Sequence, residues 1–414
     1  MNASQLARAI RERDVSPVEV MEDHLRRVAE VNPSINAVVR LAPDALAEAA
    51  AAQRALERGD RRPLLGVPFT VKDNIETAGI VTAVGVSERA TTVPAHDATV
   101  VVRLHQAGAI LLGKTNCPPW GAGIETDNEV YGRTNNPHDV TRTPGGSSGG
   151  EAAIVAAGGS PCGVGTDSGG SVRLPAHFCG VVAIKPTAGL VPVTGVLDDT
   201  GPIGSLSDPR TQVGLFARDV ADVALLLGLV SGPDGHDGGV PPVALGDPAA
   251  VPVEELRVGM YDHNGQHPPT VETVAAVHWA ARTLAGDRVR RVRLPGDGHA
   301  LTHEVWRSYG DGVTSTQFHD VLRRWDAYRG EMARFMADLD VIICPVYPRP
   351  APPHGGTDGD AVSYTTPYSL TGAPCVVLPC GASPEGLPIG VQIVARPWHD
   401  HVALAAALYL QSRR

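Results

Sequence analysis

The sequence predicts an α/β fold, a sheet covered on both faces by helices, within one large domain, and three observations carry the prediction. Short apolar, β-branched runs alternate with helix-like stretches from about residue 67 onward. Hydrophobic residues fill 43% of the 414 positions against 19% charged, enough to bury a sizeable core. The two stretches of shifted composition, 231–250 and 348–360, are rich in Gly, Pro and Asp, but strand-like segments resume after each, so they read as surface loops and not as linkers.

Taken in order, residues 4–12 and 17–31 carry apolar side chains at helical spacing, with Ser16 before Pro17 as an N-cap. Ala-rich 43–57 reads as a third helix, and VPFTVKD at 67–73 has the β-branched run of a strand. TVVVRLHQAG follows as helix, AILLG as strand, GGEAAIVAAGG as helix and CGVGTD as strand. Further strands are expected at 256–261, 289–294, 341–344, 375–378 and 389–395, with amphipathic helices between them and a last helix near 400–411.

The formal charge of -10 disfavours bulk attraction to phosphate polymers or anionic membranes. No nucleic-acid or membrane partner is therefore expected. No long charge-free apolar window is present, since the run 152–164 is broken by Gly158, Gly159 and Pro161, and the N-terminus shows no secretory pattern. The six cysteines form no CxxC pair and read as buried reduced thiols, which suits a cytoplasmic location.

Three motif readings fail on context. GAILLGKT at 108–115 fits the phosphate-loop expression, but its middle is a buried strand and Pro118–Pro119 blocks the required helix. GGSSG at 145–149 has the letters of a serine elbow without a histidine partner in view. His299 with His303, and His399 with His401, lack a third ligand nearby in sequence, so no metal is expected.

Only three lysines, Lys72, Lys114 and Lys185, occur among 35 basic residues. A lysine kept against such a background can do what arginine cannot, which is to release its proton at accessible pH. The densest stretch is 145–176, GGSSGGEAAIVAAGGSPCGVGTDSGGSVRLPA, where two Gly-Ser turns can aim several backbone N–H groups at one point.

This segment resembles the signature of the amidase signature family of serine hydrolases, through GGSSGG, the GTDSGGSVRLP run and the spacing from Ser147 to Ser171. VPFTVKDN, GAILLGKTN, VAIKPT and GAPCVVLPCG…GLPIGVQIVARP extend the likeness over nearly the whole chain. The resemblance implies a twisted mixed sheet sandwiched between helical layers across 1–414, with a catalytic core at about 60–220 and a variable substrate-shaping region at about 230–340. It further implies Ser171 as nucleophile, Ser147 as bridging serine in a cis Gly146–Ser147 peptide, and Lys72 as base. The N–H groups of Ser168, Gly169, Gly170 and Ser171 would form the oxyanion hole, and the resemblance implies that Asp167 pairs with Arg173 to hold the loop, solvent-facing charges being the alternative. Ser148 is the rival for the bridging role, and Lys114 and Lys185 read as structural. A serine needs a base to become nucleophilic, and lysine serves once burial lowers its pKa.

The expected activity is cofactor-independent hydrolysis of amide-type C–N bonds, as in an amidase or aryl acylamidase, extending to carbamates (urethanes) and esters, through an acyl-enzyme on Ser171. A small-molecule amide, carbamate or ester is the expected partner, and the chain is expected to be a monomer or homodimer. The alternative is an A-type amidotransferase subunit releasing ammonia from glutamine in a tRNA-dependent complex. The chain departs from the family in its abbreviated second half and in Gly214–Leu215, where Gly-Pro is usual.

Overall fold

A computed structural model describes residues 1–310 and 312–414. Its strands, in chain order, are β1 (Val38–Leu41), β2 (Pro68–Lys72), β3 (Ile110–Thr115), β4 (Cys162–Asp167), β5 (Val182–Lys185), β6 (Leu197–Asp198), β7 (Gly201–Pro202), β8 (Gln212–Ala217), β9 (Val258–Met260), β10 (Arg290–Arg291), β11 (Val341–Pro345), β12 (Cys375–Ala382) and β13 (Pro388–Ala395). Eleven of them form one sheet in the order β1-β3-β2-β4-β8-β5-β12-β13-β11-β9-β10, while β6 and β7 pair separately. Strands β2, β3 and β4 are parallel neighbours, and so are β11, β9 and β10; the centre from β4 to β11 is antiparallel. The sheet is therefore mixed.

The central strands are buried on both faces. Every residue of β2, β3, β4, β5, β8, β11 and β13 is buried. Such strands read as continuous apolar runs with no polar-out alternation. Helices supply the cover. Ala3–Glu12 and Pro17–Ile35 open the chain, the second with the predicted Ser16 cap, which forms a reciprocal capping box with Glu19. Gly149–Ala156 is buried over its first seven residues, and Asp400–Gln411 closes the chain.

Strand β8, QVGLFA, is not among the strands expected from the sequence, and it carries a glycine in its interior. Its place in the sheet explains the glycine. A Cβ at Gly214 would lie 2.6 Å from a Val172 methyl and 2.8 Å from the Ile184 carbonyl, so only glycine allows β8 to close on β5. The next residue, Leu215, pairs with both neighbours, opposite Val164 and Ile184. A proline there would lack a ladder N–H. All six cysteines are free thiols, five of them buried. No helix among the described residues is long and apolar enough to cross a membrane.

Candidate active site

Strand β2 ends at Lys72 and β4 ends at Asp167, and their parallel pairing sets Thr70 opposite Gly163 and Val71 opposite Val164. The two carboxyl ends therefore lie side by side, where α/β sheets open their crevices. Both Gly-Ser turns converge there. Residues 143–148 lead into the helix Gly149–Ala156, and 168–172 lead into the helix Arg173–Cys179.

Lys72 is 1% exposed. Its Nζ donates to Ser147 Oγ at 2.6 Å and to Thr166 Oγ1 at 2.8 Å. Burial pulls its pKa down to about 8, against the opposing influence of Cys117, Asp167 and Glu151. The peptide Gly146–Ser147 is cis, as expected. Ser148, the rival, points elsewhere: its hydroxyl donates to the Thr166 carbonyl at 3.2 Å and accepts from the Thr166 N–H at 3.3 Å.

Ser171 is half-buried and faces a cavity of about 510 Å³. Among the described residues no hydrogen bond joins its hydroxyl to Ser147. The loop around it is held from below by Asp167, whose Oδ1 accepts from Gly170 N–H at 2.7 Å and whose Oδ2 accepts from Val172 N–H at 3.1 Å. Gly170 N–H is thus already engaged. The N–H groups of Ser168, Gly169 and Ser171 have no partner among the described residues and remain open to an oxyanion. A Cβ at Gly170, where φ is +135°, would lie 2.6 Å from Thr365 Oγ1, which requires glycine at that position.

Asp167 and Arg173 pair as expected, with both side chains fully buried. The contact is bidentate, Nη2 to Oδ1 at 2.9 Å and Nε to Oδ2 at 3.0 Å, and Arg173 also donates to the Thr365 carbonyl and to Ser369 Oγ. Burial would raise the Asp167 carboxyl, but the Arg173 charge and hydrogen bonds win and hold it at about 2. The pair fixes the 168–172 loop to the 365–369 segment.

The structure adds residues that sequence reasoning missed. Thr166 is the second acceptor of Lys72, and Trp120, Ile124, Leu174, Trp306 and Val362 give the cavity apolar walls. Thr166 stands inside the GTD run, yet only the pairing of β4 with β2 shows that it meets Lys72. The other two lysines stay apart from this centre. Lys114 reaches the Ile75 carbonyl, Thr82 Oγ1 and Asp73, and Lys185 reaches the Pro186 carbonyl at 2.9 Å and Gln212 at 3.3 Å.

A family model described as Amidase matches residues 19–301 and 308–404. The chain belongs to this family, the amidase signature enzymes, which act on C–N bonds. The A-type subunit of the glutamyl-tRNA(Gln) amidotransferase of Koribacter versatilis (strain Ellin345) is 32% identical over 467 aligned positions, 96% of this chain and 95% of that protein. The alignment exceeds the 414 residues present here, so that relative carries inserted segments. Among solved structures, a chain from a vestigial protein complex that reveals the evolutionary origins of an s-triazine catabolic enzyme superposes with a TM-score of 0.90 at 29% identity, over 100% of this chain and 98% of that one. A 6-aminohexanoate cyclic dimer hydrolase does so with a TM-score of 0.86 at 32% identity, over 100% and 96%.

These relatives correct the expectation about partners. Several curated relatives carry the same name, that of the A-type component of a glutamyl-tRNA(Gln) amidotransferase, and that name places protein partners and a tRNA with those proteins. The inference from a charge of -10 to no nucleic acid therefore fails, and so does the expectation, drawn from the family resemblance, of a monomer or homodimer without other partners. Net charge measures bulk attraction to a phosphate polymer, not membership of an assembly that meets RNA.

Proposed function

We propose that the protein cleaves amide C–N bonds through an acyl-enzyme on Ser171, with Lys72 as base and Ser147 as proton relay. The observation that carries this reading is the buried 2.6 Å contact from Lys72 Nζ to Ser147 Oγ, beside the cavity onto which Ser171 opens. A neutral Lys72 takes the Ser147 proton as Ser147 takes that of Ser171; the Ser171 oxygen attacks the carbonyl carbon, and the tetrahedral oxyanion is received by the free N–H groups of Ser168, Gly169 and Ser171. Protonation of the leaving nitrogen along the reverse path expels the amine or ammonia, and water then releases the acyl group from Ser171.

The working context with more support is an A-type amidotransferase subunit that releases ammonia from glutamine in a tRNA-dependent complex. Curated relatives of that name match at 32% and 34% identity over 96% and 94% of the chain. A second reading, a free-standing hydrolase of bulkier amides, carbamates or esters, is favoured by one specific observation: the walls contributed by Trp120, Ile124, Leu174, Trp306 and Val362 suit an apolar acyl or leaving group. Free thiols at all six cysteines support a cytoplasmic location for either.

Purification of the chain alone, assayed with glutamine and with a graded panel of anilides, esters and carbamates, separates the two contexts. Ammonia release that appears only with companion proteins supports the amidotransferase context. Robust anilide or carbamate turnover by the isolated chain overturns it in favour of the hydrolase.

A further inference from the structure

The helix Gly298–Ser308 carries His299 and His303 one turn apart, so both imidazoles leave the same face. Their ring centroids are 4.5 Å apart with the planes nearly perpendicular. Asp360, in the short helix Gly359–Tyr364, brings a carboxylate to the same place, with Oδ1 4.0 Å from His299 Nε2. One ligand atom from each of the three residues lies within 4.8 Å of the other two. The sequence pair that lacked a third ligand thus acquires one from about sixty residues downstream.

Each group is disposed to coordinate. His299 Nδ1 is 3.0 Å from Thr366 Oγ1. With its N–H donated there, the Nε2 lone pair is left toward Asp360, the orientation that an outer hydrogen bond gives to metal-ligating histidines. His303 Nε2 is buried and has no hydrogen-bond partner, a cost that a bound cation removes. The Asp360 side chain is 76% exposed, free to close the remaining gap.

We propose that His299, His303 and Asp360 form a binding site for a divalent transition-metal ion of the zinc class on the rim of the Ser171 cavity. Two imidazole nitrogens and one carboxylate oxygen suit zinc, whereas magnesium and calcium favour oxygen donors throughout. His303 and Asp360 line that cavity. His303 also meets Trp306 edge-on at 5.2 Å, and the Trp306 ring covers Gly169, where a Cβ would lie 2.5 Å from it. An ion here ties the 298–308 helix to the 359–364 segment and fixes the wall over the nucleophile loop. His299 and Asp360 lie within the segments matched by the family model, whereas His303 and Trp306 fall in the gap at 302–307.

The test reads metal binding directly, so it is independent of the role of Ser171. Chelator-stripped protein is titrated with Zn²⁺ by calorimetry and with Co²⁺ by visible absorption, with circular dichroism confirming that each variant is folded. One ion per chain is expected, with the d–d bands of a low-coordinate Co²⁺ site. Both signals should vanish in His303→Ala and weaken at least about tenfold in Asp360→Asn. His399→Ala, which alters the other close histidine pair, should leave both unchanged. Failure of the wild type to bind either ion overturns the proposal, as does unaltered binding in folded His299→Ala and His303→Ala.

Discussion

Lys72 and Lys114 stand on neighbouring parallel strands, one register step apart, with Lys114 opposite Val71 and Thr115 opposite Lys72. Both are buried, and in both burial pulls the pKa down. What separates them is the company of the amine. Lys72 faces two hydroxyls, Ser147 and Thr166, whereas Lys114 faces the Ile75 carbonyl, a threonine and the carboxylate of Asp73 at 3.8 Å. Hydroxyls tolerate a neutral amine and can hand it a proton; a buried carboxylate wants the ammonium form. Lys185, also lowered to about 8 but set on a carbonyl and an amide, shows that a depressed pKa alone does not identify a base. Geometry makes the distinction.

The largest expected effect breaks the reacting side of the comparison. Ser171→Ala should lower kcat by about 10⁴-fold or more and abolish labelling by a sulfonyl fluoride, with little change in Tm; labelling that persists on another serine would remove Ser171 from its role. The structural side should fail differently. Lys114→Met leaves Asp73 buried without its cation and should cost about 3 kcal/mol of stability in chemical denaturation, with turnover per folded molecule nearly unchanged. Thr166→Val takes one of the two hydroxyls from Lys72 and should cost about tenfold in kcat/KM, the worth of one hydrogen bond. Because Lys72 accepts a proton only when neutral and its pKa is about 8, log kcat/KM should rise by about one unit per pH unit below that value and level off above it. A flat profile between pH 6 and about 9 would contradict the assignment.

Much of this site was legible in the sequence because its motifs are local. Ser147, Ser171, Asp167 and Arg173 all lie within one 27-residue stretch, and the pairing of the last two, implied by the family resemblance, is present in the structure. Strand edges were close for the same reason: CGVGTD coincides with β4 over Cys162–Asp167. What escaped depends on distant pairing. Thr166 meets Lys72 only through the β2–β4 register, Trp306 reaches Gly169 from more than a hundred residues away, and Asp360 completes a cluster with His299 across a loop. Strand β8 was not among the expected strands, and its interior glycine serves close packing against Val172 and β5. The error about partners had another origin, a whole-chain charge asked to speak about assembly.

The central claim is that Lys72 works by losing its proton, and the kcat/KM of Lys72→Arg on a small neutral amide tests it most directly. Arginine keeps the charge and much of the length but cannot deprotonate near neutral pH. The expected result is a variant with a native circular dichroism spectrum and at least about a hundredfold loss of kcat/KM, the lower end of general-base contributions. A folded Lys72→Arg protein with near wild-type turnover would contradict the account, because an electrostatic anchor would then suffice.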